Sequence, residues 1–157
     1  WCTSFRDAKK VDGKRIAPVV SIVCNFTKPA GDLPALLNFD EVETLFHEFG
    51  HGLHALLNQC TYTTTSNVPR DFVELPSQIM ENWASEPEVM AVYARHYKTN
   101  EVIPQALVEK IKNSGTFNQG FATTEYLAAS LLDMDYHTVA QPGKIDVASF
   151  EKAAMDR

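Results

Sequence analysis

Two histidines four residues apart, with a glutamate directly after the first, constrain this chain more than any other stretch. They lie in Phe46-His47-Glu48-Phe49-Gly50-His51-Gly52-Leu53-His54. On a helix, residues four apart stand one turn above each other on one face. Two imidazoles so placed can bind one zinc ion, with Glu48 in reach of a water as general base. The surrounding pattern agrees with a helix. Asp40 with Glu43 three residues on resembles a capping box. Val42, Leu45, Phe46, Phe49, Leu53, Leu56 and Leu57 supply an apolar face to about Asn58. Gly50 and Gly52 are costly there, about 1 kcal/mol each relative to Ala. They imply close approach of another backbone or a substrate, or else tight helix packing, and the sequence leaves these open.

A catalytic zinc site generally takes a third protein ligand from elsewhere in the chain. His54 lies seven residues beyond His47, about 10 Å along the helix and too far to share an ion with it. The metzincin pattern needs a glycine at position 54 and a histidine at position 57; His54 and Leu57 stand there instead. His54 is therefore expected to be packed and hydrogen-bonded. Glu74 and Glu81 are better candidates, on a helix expected over Asp71–Ser85. That helix either starts near Pro76 or kinks there. If helical geometry holds through Pro76, the two carboxylates lie near one face. One can ligate zinc while the other accepts the free ring N–H of a zinc-bound histidine. Spacing does not say which. A solvated pair is the bland reading, but Phe72, Val73, Leu75, Ile79 and Trp83 around them argue that at least one points inward.

The rest of the chain fits a mainly α fold: a zincin-like helical domain with a small N-terminal β-hairpin. With 157 residues and 45% hydrophobic content the chain suits one packed domain, spanning 1–157. Within 1–30, Trp1–Arg6 and Ile16–Phe26 read as strands paired around a long loop containing the turn Asp12-Gly13. Asn25–Pro34 reads as loop. Residues 40–157 read as helical, apart from a Thr-rich loop at 60–68. Ser85 and Glu88 suggest a capping box for a helix to about Lys98. Pro104 and Gly115 bracket another helix. Phe117 to about Ala140 forms a long one, stopped by Pro142-Gly143. The formal charge of −6, without a basic stripe, argues against nucleic acid. No apolar run has the length of a membrane span. Cys2, Cys24 and Cys60 are odd in number and form no Cys-x-x-Cys, so small buried hydrophobes in a reducing, cytoplasmic compartment are expected. The chain opens without Met and stops at Met155-Asp156-Arg157 inside an expected helix, as a catalytic domain truncated at both ends would.

These motifs resemble the M3 zinc peptidases. The likeness rests on His47–His54 followed by Pro69-Arg70-Asp71-Phe72-Val73-Glu74-Leu75-Pro76-Ser77-Gln78, and it covers nearly the whole chain. Cys24-Asn25-Phe26-Thr27-Lys28-Pro29 and Arg95-His96-Tyr97 are most similar to the bacterial peptidyl-dipeptidase branch. The resemblance implies one Zn²⁺ per chain held by His47, His51 and Glu74. It makes Glu48 the general base and Glu81 the outer partner of a zinc-bound histidine. It further implies short unstructured peptides as substrates, admitted by a deep channel between two halves, with dipeptides released from the free C-terminus. The alternatives are internal cleavage, or a fragment that binds metal without useful catalysis. The Val19–Cys24 strand is expected to pair with an extended substrate. The chain departs from the family in a slightly shorter loop between the motifs. It also lacks the long N-terminal helical region and the Gly- and Tyr-rich segment that serves substrate and transition state. Tyr136 and His137 are not that segment and read as ordinary helix residues.

Overall fold

The computed structural model describes residues 1–141 and 143–156. The chain forms two compact units, Trp1–Ile111 and a second from Lys112 onward.

The first unit opens with strand β1 (Cys2–Arg6), paired antiparallel to β4 (Val19–Ile22) with Cys2 opposite Ile22 and Thr3 opposite Ser21. Trp1 and Val23 extend the ladder by exchanging both backbone bonds, at 2.7 and 2.9 Å. The segment between the strands is not the long loop expected. It folds into a second hairpin, β2 (Lys9–Val11) and β3 (Lys14–Ile16). Asp12 and Gly13 turn it with φ of +49° and +76°, the two positive values that a two-residue primed turn demands. Ile16 thus belongs to β3. Pro18, which has no N–H to give a ladder, stands between it and β4.

Helix α1 (Phe39–Leu56) is capped two residues earlier than expected. Asn38, not Asp40, is the N-cap: its side chain accepts from the Glu41 N–H, and Glu41 accepts from the Asn38 N–H, both at 2.9 Å. The other Glu41 oxygen accepts from the Thr27 N–H and hydroxyl, each at 2.7 Å. Glu41 therefore wins because it ties the preceding loop to the helix as well as capping it. The Thr27 hydroxyl, then the Asn38 and Thr27 amides, hold its carboxyl below the ordinary carboxylate value. At the other end, the Arg15 guanidinium donates to the Leu56 and Asn58 carbonyls at 2.8 and 3.1 Å, so the β2–β3 hairpin closes the α1 C-terminus.

After a single 3₁₀ turn at Thr63–Thr65, helix α2 covers Leu75–Ala84. It starts one residue before Pro76 rather than kinking there. In the first turn the missing N–H costs nothing, because that donor has no intrahelical acceptor. Glu74 becomes the N-cap residue, outside the helix proper. The expected capping box at Ser85 is absent: Ser85 ends α2, and its hydroxyl donates back to the Asn82 carbonyl at 3.3 Å. Helix α3 (Pro87–Tyr93) starts on its own proline and stops short of Lys98. The chain leaves it because Arg95 bridges to Val102 and its guanidinium takes the Asn100 carbonyl at 3.1 Å. Helix α4 (Gln105–Ser114) lies between Pro104 and Gly115, as expected. The α1 helix packs along α2 and beneath β1 and β4. Tyr93 pins α3 to this pair. Its ring meets Phe46 at 6.1 Å and its hydroxyl donates to the Ala84 carbonyl at 2.5 Å.

In the second unit, α5 (Gln119–His137) carries α6 (Val147–Met155), with Tyr136 stacked on Phe150 at 4.5 Å. The stop read from Pro142 lies outside the described residues; α5 ends at His137. Phe121, Leu127, Leu131 and Met134 of α5 remain exposed. Among the described residues, no helix is long and apolar enough to cross a membrane. Cys2 and Cys24 are partly buried and free. Cys60, expected to be buried, is exposed beside the 3₁₀ turn.

Candidate metal centre

One helix supplies His47, Glu48 and His51; the N-cap of α2 supplies Glu74 and its second half supplies Glu81. The His47 and His51 rings sit 4.9 Å apart, edge to face. What lets α2 come close enough to complete the group is Gly50. A β-carbon there would meet the Pro76 carbonyl oxygen and the Ser77 α-carbon at 2.6 Å each. Gly52 faces a different neighbour, the Ile22 side chain of β4, at 3.2 Å. Both glycines therefore answer to packing within the protein.

The convergence is tight. Glu74 Oε2 lies 3.3 Å from His47 Nε2 and 3.2 Å from His51 Nε2. All three atoms lie within 4.8 Å of one another. Ligands at ordinary zinc bond lengths around a tetrahedral ion stand about 3.4 Å apart, so this donor set fits such an ion. His47 Nδ1 meets Glu81 Oε1 at 2.6 Å. A proton donated there leaves Nε2 with a free lone pair, as metal binding requires.

Glu74 is half exposed, so something must orient it. Ser77 does: fully buried, its hydroxyl contacts the Glu74 carbonyl and Oε2, each at 2.9 Å. That bond, opposed by partial burial and aided by His51 and His47, pulls the Glu74 carboxyl below its ordinary value. Sequence reasoning missed Ser77. Its signal is a serine three residues past the acidic candidate, within reach of a helix-start carboxylate.

Glu48 is mostly buried. Its Oε1 lies 3.1 Å from the Trp1 nitrogen, and its Oε2 has no hydrogen-bond partner among the described residues. Glu48 itself lines the cleft beside His47 and His51, within one helical turn of both. The cleft has a volume of about 840 Å³ and runs between β1, the α1 face bearing His47 to His54, and the 65–74 segment. The strand along it is β1, whereas the Val19–Cys24 segment lines none of it. Because Trp1 and Val23 form a fully bonded pair, alternation turns the backbone groups of Cys2 and Ser4 away from β4.

His54 stands outside the three-residue cluster and lines the same cleft. Its ring meets Phe72 edge to face, with centroids 6.2 Å apart. The hydrogen bonds expected for it are absent among the described residues. In the second unit, His137 Nδ1 contacts the Asp133 carbonyl at 2.8 Å, one turn back on its own helix.

The sequence pattern of peptidase family M3 matches residues 1–156. The chain belongs to peptidase family M3. The match runs through β1, α1 and α2, so every residue of the cluster lies inside it. Dipeptidyl carboxypeptidase of Escherichia coli strain K12 is 50% identical over 99% of this chain and 23% of its own length. Oligopeptidase A of the same strain is 42% identical over 85% of this chain and 20% of its own. Saccharolysin of Saccharomyces cerevisiae is 39% identical over 81% of this chain and 18% of its own. The chain thus spans less than a quarter of the length of these family members.

Proposed function

We propose that this chain carries the zinc centre of an M3 peptidase that hydrolyses short, unstructured peptides. The observation that carries the reading is the convergence of two imidazole Nε2 atoms and the Glu74 carboxylate within 4.8 Å. His47, His51 and Glu74 are the ligands. Zinc held there supplies the Lewis acid that makes water a nucleophile near neutral pH and polarises the scissile carbonyl. Glu48 accepts the proton of the attacking water on its carboxylate and passes it to the leaving amine. Glu81 fixes the His47 ring and its tautomer.

The free edge of β1 takes the substrate backbone, with Cys2 and Ser4 offering N–H and C=O groups to an extended peptide. Release of dipeptides from the C-terminus is favoured by the likeness to the dipeptidyl carboxypeptidase. Internal cleavage is the competing mode, given the likeness to oligopeptidase A. The free thiols suit a cytoplasmic setting.

The test is zinc per chain in protein stripped of metal and reloaded, beside His47→Ala, Glu74→Ala and Glu48→Gln. One tight zinc is expected, lost or much weakened in the first two and kept in the third. Glu48→Gln in the natural full-length protein removes turnover; normal cleavage by that variant ends the proton-carrier role. A second reading holds that the chain by itself binds zinc without turnover. The exposed apolar side chains of α5 favour it, and an assay of this chain beside the full-length protein separates the two.

A further inference from the structure

His54 is three residues beyond His51 on α1, on the same helical face and about 4.5 Å further along the axis. It is half-buried and lines the cleft, yet its imidazole has no hydrogen-bond partner among the described residues. What His54 does contact is Phe72, at 6.2 Å and 63° between ring planes. Phe72 lies two residues before Glu74, keeps 49% of its surface open, and lines the same cleft. Val68 and Pro69 extend this wall. An imidazole and a phenyl ring set edge to face offer a third ring both a face and an edge to pack on. An extended peptide advances about 3.4 Å per residue. A side chain flanking the scissile bond therefore falls within reach of a wall offset from His51 by about 4.5 Å.

We infer that His54 and Phe72 form a substrate subsite that takes an aromatic side chain flanking the scissile bond. This rests on the peptidase reading and adds a specificity determinant to it. Neither residue holds zinc or moves a proton; the pair selects the peptide.

The test uses the natural full-length protein loaded with zinc, and paired peptides that carry Phe or Ala at each position flanking the cleaved bond. At one flanking position the wild type should favour Phe by about tenfold in kcat/KM. His54→Ala and Phe72→Ala should each reduce that ratio to about threefold or less, with zinc content unchanged. The ratio is decisive, because general damage to the fold lowers both rates together and leaves it intact. A ratio that persists in both variants, or no Phe preference at either position, overturns the subsite. A second measurement is independent of turnover: calorimetric binding of the same peptides to Glu48→Gln protein, with and without His54→Ala. If zinc is bound but the wild type cleaves nothing, the peptidase reading fails, and this binding ratio alone decides the subsite. Loss of Phe discrimination with His54→Ala supports it, and unchanged or absent discrimination overturns it.

Discussion

Gly50 of α1 lies so close to Ser77 of α2 that a β-carbon added to it would stand 2.6 Å from the Ser77 α-carbon. Backbone, not a flexible side chain, occupies that space, so the helices themselves must part to admit a methyl group. Glu74 and Glu81 ride on the helix that would move. Gly50 therefore sets the distance across which His47, His51 and Glu74 converge.

Gly50→Ala should lower stability by about 1–3 kcal/mol despite the better helix propensity of Ala. It should weaken zinc binding as well. Gly52→Ala meets only the end of the Ile22 side chain, at 3.2 Å, which can rotate aside. Its stability should stay within about 1 kcal/mol of wild type. Urea unfolding and chelator competition measure both. Wild-type behaviour of Gly50→Ala would refute the contact.

Glu81→Ala leaves His47 Nδ1 without the carboxylate that stands 2.6 Å away. Zinc affinity should drop about 10- to 100-fold, with less loss for Glu81→Gln, whose carbonyl oxygen still accepts the bond. Equal affinity in Glu81→Ala and wild type would show that the His47 ring needs no such support.

Ser77→Ala removes the first cause of the low Glu74 pKa. The carboxyl should then rise toward its ordinary value and protonate at higher pH than in wild type. Because zinc needs the ionised form, release on acidification from about pH 7 should begin at higher pH in the variant. Affinity at neutral pH should fall less than in Glu74→Ala. Coincident release curves would mean that Ser77 does not orient the ligand.

The Glu41 carboxyl lies below its ordinary value of 4.5 in the folded chain. Its contribution to stability is complete above that ordinary value and disappears as pH falls through the lower folded one. The stability gap between wild type and Glu41→Gln should therefore be widest near neutrality and shrink on acidification. Asn38→Ala, which removes the other half of the cap, should cost about 1 kcal/mol. Unfolding midpoints across a pH series decide this, and a gap that grows in acid contradicts it.

Some elements were legible because their cause is local. His47 and His51 share a face by spacing alone. The Asp12-Gly13 turn was readable from two residues, although its three-residue strands were too short for any periodicity to announce them. The α1 cap is not legible locally, because Asn38–Glu41 and Asp40–Glu43 present similar patterns. The choice between them depends on Thr27, a loop residue that reaches Glu41 only after folding. His54 looked like a histidine that would find partners in the fold, and its neighbour proved to be Phe72 instead.

Residue order alone places two imidazoles one turn apart on one helix, with a carboxylate between them. A helix repeats every 3.6 residues whatever packs against it. Residue order does not determine how Glu74 and Glu81 divide their contacts, since as carboxylates seven residues apart they look alike. Packing between α1 and α2 makes that division. Pro76 sits in the first turn of α2, Ser77 aims Glu74 at both Nε2 atoms, and the close approach at Gly50 brings Glu81 to the opposite nitrogen of His47. These relations depend on the register between two helices, and that register exists only once their backbones touch.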